Sequence, residues 1–222
     1  MCKKHFPTLS KHTMKRIGIF GGTFDPPHKG HIAIAQKAMK QLSLDTIYFV
    51  PAYLPPHKLQ HYSITAKHRL SMVKLAIDGK KDFKVTTIEL QRRGISYTVD
   101  TLKSFRNRFP NAALILIIGA DNLEQFQSWR SPKTILQLAS LAVYKRRGFS
   151  QSLKNQNIAF QPIKGQLLQV SSTEIRKRLK KELTVSKFIS KPIERYIKRH
   201  LLYVHSHSII RKRNINEINR TH

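Results

Sequence analysis

Gly18-Ile19-Phe20-Gly21-Gly22-Thr23-Phe24-Asp25-Pro26-Pro27-His28-Lys29-Gly30-His31 joins an apolar run to a pair of histidines within one short stretch. On its left, Ile17-Gly18-Ile19-Phe20 has the pattern of a short buried strand. On its right, Ile34, Ala35, Ala38, Met39 and Leu42 recur at the spacing that lines one face of a helix. A strand-to-helix turn lies between. Gly21 and Gly22 let the backbone pass close to a bulky ligand or take positive φ, and Pro26 with Pro27 stiffens the corner. The helix then presents unpaired N–H groups and the positive end of its dipole, which is where phosphates bind. His28 and His31 add ring donors that can carry positive charge. The stretch reads as a nucleotide-phosphate cradle.

Two common cradles are excluded by spacing. The G-x-x-x-x-G-K-[ST] loop does not occur, and Gly18, Gly21 and Gly22 do not make G-x-G-x-x-G. An H-x-x-H pair taken alone is also half a metal site, but the only cysteine, Cys2, is distant in sequence. What remains is H-x-G-H, His28-Lys29-Gly30-His31, after G-G-T-F-D-P. That combination resembles the signature of the H-x-G-H nucleotidylyltransferase superfamily.

A chain of 222 residues suffices for one α/β domain with a full core and a small appendage. One cysteine excludes an internal disulfide framework and fits a reducing, cytoplasmic compartment. No run of about 18 apolar residues is present to span a membrane, and residues 1–15 lack the apolar segment of a secretory signal. Met14-Lys15-Arg16-Ile17 would itself make a natural beginning. The balance of 41 Lys and Arg against 12 Asp and Glu, net +29, attracts polyanions without specificity. No aromatic base-stacking motif accompanies it, so a specific nucleic-acid partner is not expected.

Along the chain, strand-like and helix-like patterns alternate. Thr46 to Pro51 reads as a second strand, Tyr53 to Thr65 as a loop, and Leu70, Val73 and Ile77 mark a helix closed by Gly79. Lys84 to Leu90 reads as a third strand, and Val99, Leu102 and Phe105 as a helix ended at Pro110. Ala113 to Ile118 is the most continuous apolar run, as in a central parallel strand buried on both faces. Ser131-Pro132 opens a short helix, Leu141 to Tyr144 is a strand, and Arg147 to Gly165 reads as a surface connection. The expectation is a Rossmann-like, doubly wound parallel sheet with a small helical part from about residue 171. Its domain spans residues 16–202, between an extension (1–15) and a basic tail (203–222). Ligands of such sheets sit at the carboxyl ends of the strands.

Five later stretches carry chemistry at that edge. Lys58 follows the second strand and reaches for a phosphate, or is a basic loop tip. Thr98, after Ser96-Tyr97, opens a helix and either holds a carboxylate or is an ordinary cap. Asp121, after Gly119-Ala120, accepts from ribose hydroxyls or caps a helix. Trp129, the only tryptophan, is a stacking platform or a partly buried core residue. Ser171-Ser172-Thr173-Glu174 reads as a capping box with Ser171 at N-cap, and Arg176 beside it suits phosphate.

Gly21 to His31, Pro55 to Lys58, His68-Arg69-Leu70, Ser96 to Leu102, Gly119 to Asp121, Trp129 and Ser171 to Arg176, in that order and spacing, resemble the bacterial nicotinate-nucleotide adenylyltransferase family over roughly Arg16 to Ile197. The resemblance implies that ATP and nicotinate mononucleotide join to give deamido-NAD and pyrophosphate, with Mg²⁺, in NAD synthesis. It implies that His28, His31 and Arg176 act on the ATP phosphates, with Gly22, Thr23 and Phe24 near the α-phosphate. Gly119 and Asp121 would hold adenosine, and Ser171 and Ser172 would close over the distal phosphates. Lys58, Tyr97, Thr98 and Trp129 would recognise the mononucleotide, and no protein side chain is expected to bind the metal. Pantetheine-phosphate adenylyltransferase is the nearest alternative, but that family usually carries threonine where His28 stands.

Overall fold

The computed structural model describes residues 14–56, 64–144, 158–165, 168 and 170–204. Strand β1 (Arg16–Gly22) leads to α1 (Lys29–Gln41), β2 (Thr46–Pro51), α2 (Ala66–Ile77) and β3 (Phe83–Val85). Helices α3 (Ile88–Arg92) and α4 (Thr98–Arg108) precede β4 (Ala113–Gly119), α5 (Ala120–Glu124) and a 3-10 turn (Phe126–Ser128). Then come α6 (Pro132–Leu138), β5 (Ser140–Tyr144), β6 (Phe160–Ile163), α7 (Ser172–Lys180) and α8 (Lys191–Arg199).

The described strands form one six-stranded sheet in the order β3-β2-β1-β4-β5-β6, with every pair parallel. Such a sheet buries both faces, and successive side chains divide between them. Ile17, Ile19, Tyr48, Val50, Leu114, Leu116, Leu141 and Val143 pack with Val99, Leu102 and Phe105 of α4 and Ile135 of α6. Phe20, Ile47, Phe49, Ile115, Ile117 and Ala142 face the other way, onto Ile34, Ala35 and Ala38 of α1 and Val73 and Ile77 of α2. This two-sided burial is why the strands read as unbroken apolar runs. Each fully buried Ile, Leu or Phe contributes about 1.5–3 kcal/mol of burial. Gly18 is a packing requirement, since a Cβ there would lie 2.9 Å from Ile47 and Leu44.

Strand order reverses between β1 and β4. Their last paired residues are Ile19 and Leu116, yet the strands run on to Gly22 and Gly119, so they part at their carboxyl ends. A crevice at that switch point is where α/β sheets bind ligands.

A third cluster lies outside the sheet. Ile175, Val185, Ile189, Ile193, Ile197, Leu202 and Tyr203 pack together against Met72 of α2. Tyr203, assigned by the sequence to the tail, is buried in this cluster.

Two expectations are corrected, and one pair of alternatives is decided. The third strand is Phe83–Val85 alone, and Ile88–Arg92 is helical. β-branched Val85-Thr86-Thr87-Ile88 favours a strand locally, but the ladder to β2 stops at Phe49↔Val85, and Gln91 N–H turns back to the Thr87 carbonyl at 2.8 Å. Within the expected surface connection, Phe160–Ile163 is a strand paired to β5. Pro162 hides it in the sequence, yet proline is tolerated on an edge strand because one side of the ladder is open. Finally, neither Gly21 nor Gly22 takes positive φ; the left-handed step falls on Phe24, at φ 52°.

Candidate active site

Residues 22–31 build the turn from β1 into α1. Left-handed backbone at a bulky aromatic residue costs about 1–3 kcal/mol, so it needs compensation nearby. The Phe24 ring supplies it. It is 2 % exposed, with its centroid 5.9 Å from Phe20, 5.8 Å from Phe49 and 5.1 Å from His31. Gly22 makes room for it, since a Cβ there would lie 3.0 Å from the ring. Gly21 is different: among the described residues a Cβ there would meet no atom within 4 Å. Its lack of a side chain answers to nothing in the protein's own packing, which is the case expected where backbone faces a ligand.

The two histidines cap their own helix. His28 is the N-cap residue of α1; the His31 N–H donates to His28 Nδ1 at 3.3 Å, and the His28 N–H donates to His31 Nδ1 at 3.1 Å. This is the reciprocal geometry of a capping box, made with imidazoles. The rings stack with centroids 3.6 Å apart and planes 23° apart. Gly30 is what permits it, because a Cβ there would lie 2.9 Å from His28 Nδ1 and 3.0 Å from Val170. A ring nitrogen that accepts an amide hydrogen holds no proton, so each neutral ring carries its proton on Nε2. A second proton would occupy the accepting nitrogen and break the cap. With the cap formed, the charge that the sequence reading allowed these rings is not needed for them to donate from Nε2.

The first-turn amides of α1 are also spent differently from the simple cradle. His28 and His31 use theirs in the cap, and the Lys29 N–H donates to the Phe188 carbonyl at 2.8 Å. The cap uses Nδ1 of each ring, which makes Nε2 the donor atom of each imidazole.

Tethers from elsewhere fix the loop. Buried Arg69 of α2, 1 % exposed, donates to the Thr23 carbonyl at 2.8 Å and to the Tyr53 carbonyl at 3.2 Å, joining the turns after β1 and β2. Arg176 donates to the Asp25 carbonyl at 2.7 Å, and the Ser172 hydroxyl to the Pro26 carbonyl at 2.9 Å. Ser171 caps α7 by accepting from the Glu174 N–H at 3.1 Å, while the Glu174 carboxylate pairs with Arg178 at 3.2 Å. The expected capping box is thus formed on its Ser171 side. Ser172 and Arg176 meet the cradle through its backbone carbonyls.

On the other side of the crevice, Gly119 ends β4 opposite Tyr144 of β5. A Cβ on Gly119 would collide with the Asp121 carboxylate and lie 3.2 Å from the Tyr144 ring. Glycine here lets Asp121, exposed in the first turn of α5, fold back over the strand end.

The third part of the site is the start of α4. Tyr97 is its N-cap residue and makes no side-chain cap, so the ordinary-cap reading of Thr98 does not hold; Thr98 is the first helical residue. Trp129 is half-buried, 5.4 Å from the Phe126 ring, and both Tyr97 and Trp129 pack on the core beneath. The neighbouring Arg130 lays its guanidinium 4.7 Å from the Tyr97 ring centre, which brings the Trp129 turn to the α4 terminus. Lys58 lies outside the described residues.

With this geometry in place, known proteins resemble the chain over most of its length. Residues 19–178 match the family described as cytidylyltransferase-like. A Bacillus subtilis protein named nicotinate-nucleotide adenylyltransferase is 39% identical over 190 residues, covering 86% of this chain and 99% of its own. The chain belongs to the nicotinate-nucleotide adenylyltransferase family. Two solved structures of Plasmodium falciparum nicotinic acid mononucleotide adenylyltransferase share the fold. One, complexed with NaAD, gives a TM-score of 0.70 at 23% identity, covering 85% of this chain and 97% of that one. The other, complexed with APC, gives 0.68 at 24% identity over the same shares.

In this member of the nicotinate-nucleotide adenylyltransferases, the roles of several supporting residues escaped the sequence reading. Arg130 had no signal beyond adjacency to Trp129. Arg69 was visible as a charge on the apolar face shared with Met72 and Val73, where a buried partner is required. Glu89 is 7 % exposed and accepts from the Thr101 hydroxyl at 2.6 Å, bracing α3 against α4. Burial pushes its carboxyl up from the ordinary glutamate value, and bonds from Thr101 and Ser96 with the charges of Arg92 and Arg69 oppose that only in part. Ser96 also accepts from the Tyr53 N–H at 2.9 Å, so one polar network runs beneath both halves of the site. Among the described residues, no group of three or more His, Cys, Asp or Glu is placed to hold a metal ion, and no helix is long and apolar enough to cross a membrane.

Proposed function

We propose that this chain transfers the adenylyl group of ATP to nicotinate mononucleotide, giving deamido-NAD and pyrophosphate in NAD biosynthesis. The observation that carries this reading is the imidazole capping pair at the β1–β4 switch point, with the uncapped start of α4 across from it. The first suits a triphosphate and the second suits a small carboxylate.

The mononucleotide phosphate is already an anionic nucleophile, so no general base is needed. One of its oxygens attacks the α-phosphorus in line, a phosphorus–oxygen bond forms, and the bond to the β-phosphate oxygen breaks with its electrons leaving on pyrophosphate. The protein's task is positioning and charge stabilisation. The Nε2–H groups of His28 and His31 donate to phosphate oxygens, and Gly21 to Phe24 bring backbone against the α-phosphate. Asp121 accepts from the ribose hydroxyls. Arg176 has two roles open to it, as a tether of Asp25 in this structure and as a cation for the leaving pyrophosphate. Ser171 and Ser172 sit at the same helix terminus.

Thr98 and the first-turn N–H groups of α4 receive the nicotinate carboxylate, with Trp129 and Tyr97 as ring surfaces. Asp100, also in that first turn, opposes an anion there, and Arg130 supplies compensating charge. Lys58 reaches the mononucleotide phosphate. Mg²⁺ fits this donor set as an ion carried on triphosphate oxygens and water, which is its usual mode; when bound it neutralises charge between the two phosphates. The substrates are small molecules, with neither nucleic acid nor membrane required, and a cytoplasmic setting suits ATP-dependent chemistry. Pyrophosphate release with ATP, Mg²⁺ and nicotinate mononucleotide tests the reading directly. No release by folded protein would reject it.

A further inference from the structure

The cradle loop has one side-chain tether that the reaction above does not use. The Tyr203 hydroxyl donates to Asp25 Oδ1 at 2.6 Å across 178 residues of sequence. Both groups are buried, Asp25 at 3 % and Tyr203 at 7 % exposure. Asp25 sits between Phe24, whose backbone is left-handed, and the Pro26-Pro27 corner that leads to His28. Tyr203 is itself held at φ 66°, an uncommon conformation for an aromatic residue. Such backbone persists only where surrounding contacts over-determine it. Its ring is part of the cluster of Ile175, Ile193, Ile197 and Leu202. That cluster also carries Arg176 and Ser172, which hold the Asp25 and Pro26 carbonyls, and Phe188, which receives the Lys29 N–H.

Everything that fixes residues 25–29 from outside the loop therefore comes, among these bonds, from residues 172–203. Three of the four are to backbone, and they set where the loop lies. The Lys29 Nζ also donates to the Ser186 carbonyl at 2.9 Å, and the Tyr203 hydroxyl grips the Asp25 side chain itself. It fixes the rotation of Asp25, and through one rigid corner the direction in which His28 leaves the loop.

We propose that Tyr203 is a positioning residue for adenylyl transfer, acting through Asp25 to hold the His28–His31 pair in register with the reacting phosphates. The proposal rests on the adenylyltransferase reading, and predicts a defect in the chemical step more than in substrate binding. Tyr203→Phe removes one hydroxyl and keeps the ring in its cluster. It is expected to lower kcat about 5- to 20-fold, with KM for the mononucleotide changed less than twofold. Tyr196→Phe is the matched control. Tyr196 lies on α8 against the same cluster, and its hydroxyl bonds His68 Nδ1 of α2 at 3.0 Å rather than Asp25. Its loss is expected to leave kcat within twofold. If the tyrosine acts through Asp25, the double variant Tyr203→Phe/Asp25→Ala costs no more than Asp25→Ala alone.

Equal kcat losses in the two tyrosine variants, a change confined to KM, or additive losses in the double variant would each overturn the proposal. Should Tyr203→Phe not accumulate in folded form, Asp25→Ala carries the test, because it removes the acceptor and leaves the ring; a kcat loss below threefold overturns it. All ratios are taken on whichever acceptor the wild type adenylylates, so a wrong substrate leaves this result readable.

Discussion

The two helix termini that face the crevice solve opposite problems. The start of α1 is closed on itself: two imidazoles cap two amides, a third amide goes to Phe188, and Gly30 exists to let one ring lie over the helix. The start of α4 has no side-chain cap at all. A helix begins with four N–H groups that need acceptors. Where the protein supplies them, the terminus is rigid and each capping ring keeps Nε2 as its donor atom. At α4 the Asp100 N–H turns to the Tyr97 carbonyl at 3.2 Å, and the Thr98 and Val99 N–H groups ahead of it are those proposed to meet the substrate. The first arrangement suits a large polyanion that must be aligned, the second a compact carboxylate that must be identified.

The largest effect expected on breaking this contrast is at the capped end. His31→Ala removes one ring donor and half of the reciprocal cap. Loss of one preorganised donor to developing charge typically costs about 10²–10³ in kcat, and KM for the mononucleotide is expected to stay within about threefold on that logic. Steady-state kinetics decide it, and a kcat near the wild type would remove the histidines from the mechanism. His28→Asn separates capping from catalysis. Asparagine is a good N-cap and alanine a poor one, a difference of about 1 kcal/mol. His28→Asn should therefore melt about 2–4 °C above His28→Ala while both lose kcat alike. If the asparagine variant kept its activity, the cap rather than the ring donor would be the functional part.

At the uncapped end the sharper change is to add what is missing. Tyr97→Asp places a capping carboxylate at the N-cap of α4, where it stabilises the helix by about 0.5–1 kcal/mol and competes with nicotinate. Against Tyr97→Ala, which matches the loss of the ring, it should raise KM for nicotinate mononucleotide about tenfold with kcat little changed, in line with a loss of 1.4 kcal/mol of uniform binding. Equal KM values would mean that those amides do not meet the substrate.

The smallest effect concerns the brace beneath α4. Glu89 has its carboxyl raised in the folded protein by burial. Between the ordinary glutamate range and that raised value, the folded state holds a proton the unfolded chain has lost. This contribution to stability is complete at acid pH and fades as pH rises through the folded value. Glu89→Gln cannot titrate, and its amide oxygen still accepts from Thr101. Its melting temperature relative to wild type should be higher at pH 7 than at pH 5. A difference independent of pH would place Glu89 in an environment able to hold its charge.

Much of this was readable before the structure, and what was not has a physical pattern. Thr46 to Pro51, Ala113 to Ile118 and the proline-led helix at Pro132 were legible because burial on both faces, or a fixed φ, leaves a local trace. The H-x-G-H turn was legible as a site for the same reason: glycines, prolines and histidines are constrained residue types. What those histidines do to one another was hidden, since three-residue spacing does not show that each ring accepts the other's amide. Phe160–Ile163 was hidden by Pro162, and the helical Ile88–Arg92 by β-branched neighbours. Glu89–Thr101, Arg69–Thr23 and Tyr203–Asp25 are pairings between separate elements, and no periodicity along the chain encodes which partner a buried polar group will find.

The most direct measurement is pyrophosphate release by the full chain with ATP and Mg²⁺, comparing nicotinate mononucleotide, nicotinamide mononucleotide and phosphopantetheine. An uncapped α4 terminus that reads a carboxylate predicts strong preference for the first. The amide analogue lacks the charge, and losing a charged hydrogen bond costs about 1.5–3 kcal/mol, or roughly tenfold to a hundredfold in kcat/KM. Equal use of the two mononucleotides, or turnover of phosphopantetheine alone, would contradict the account.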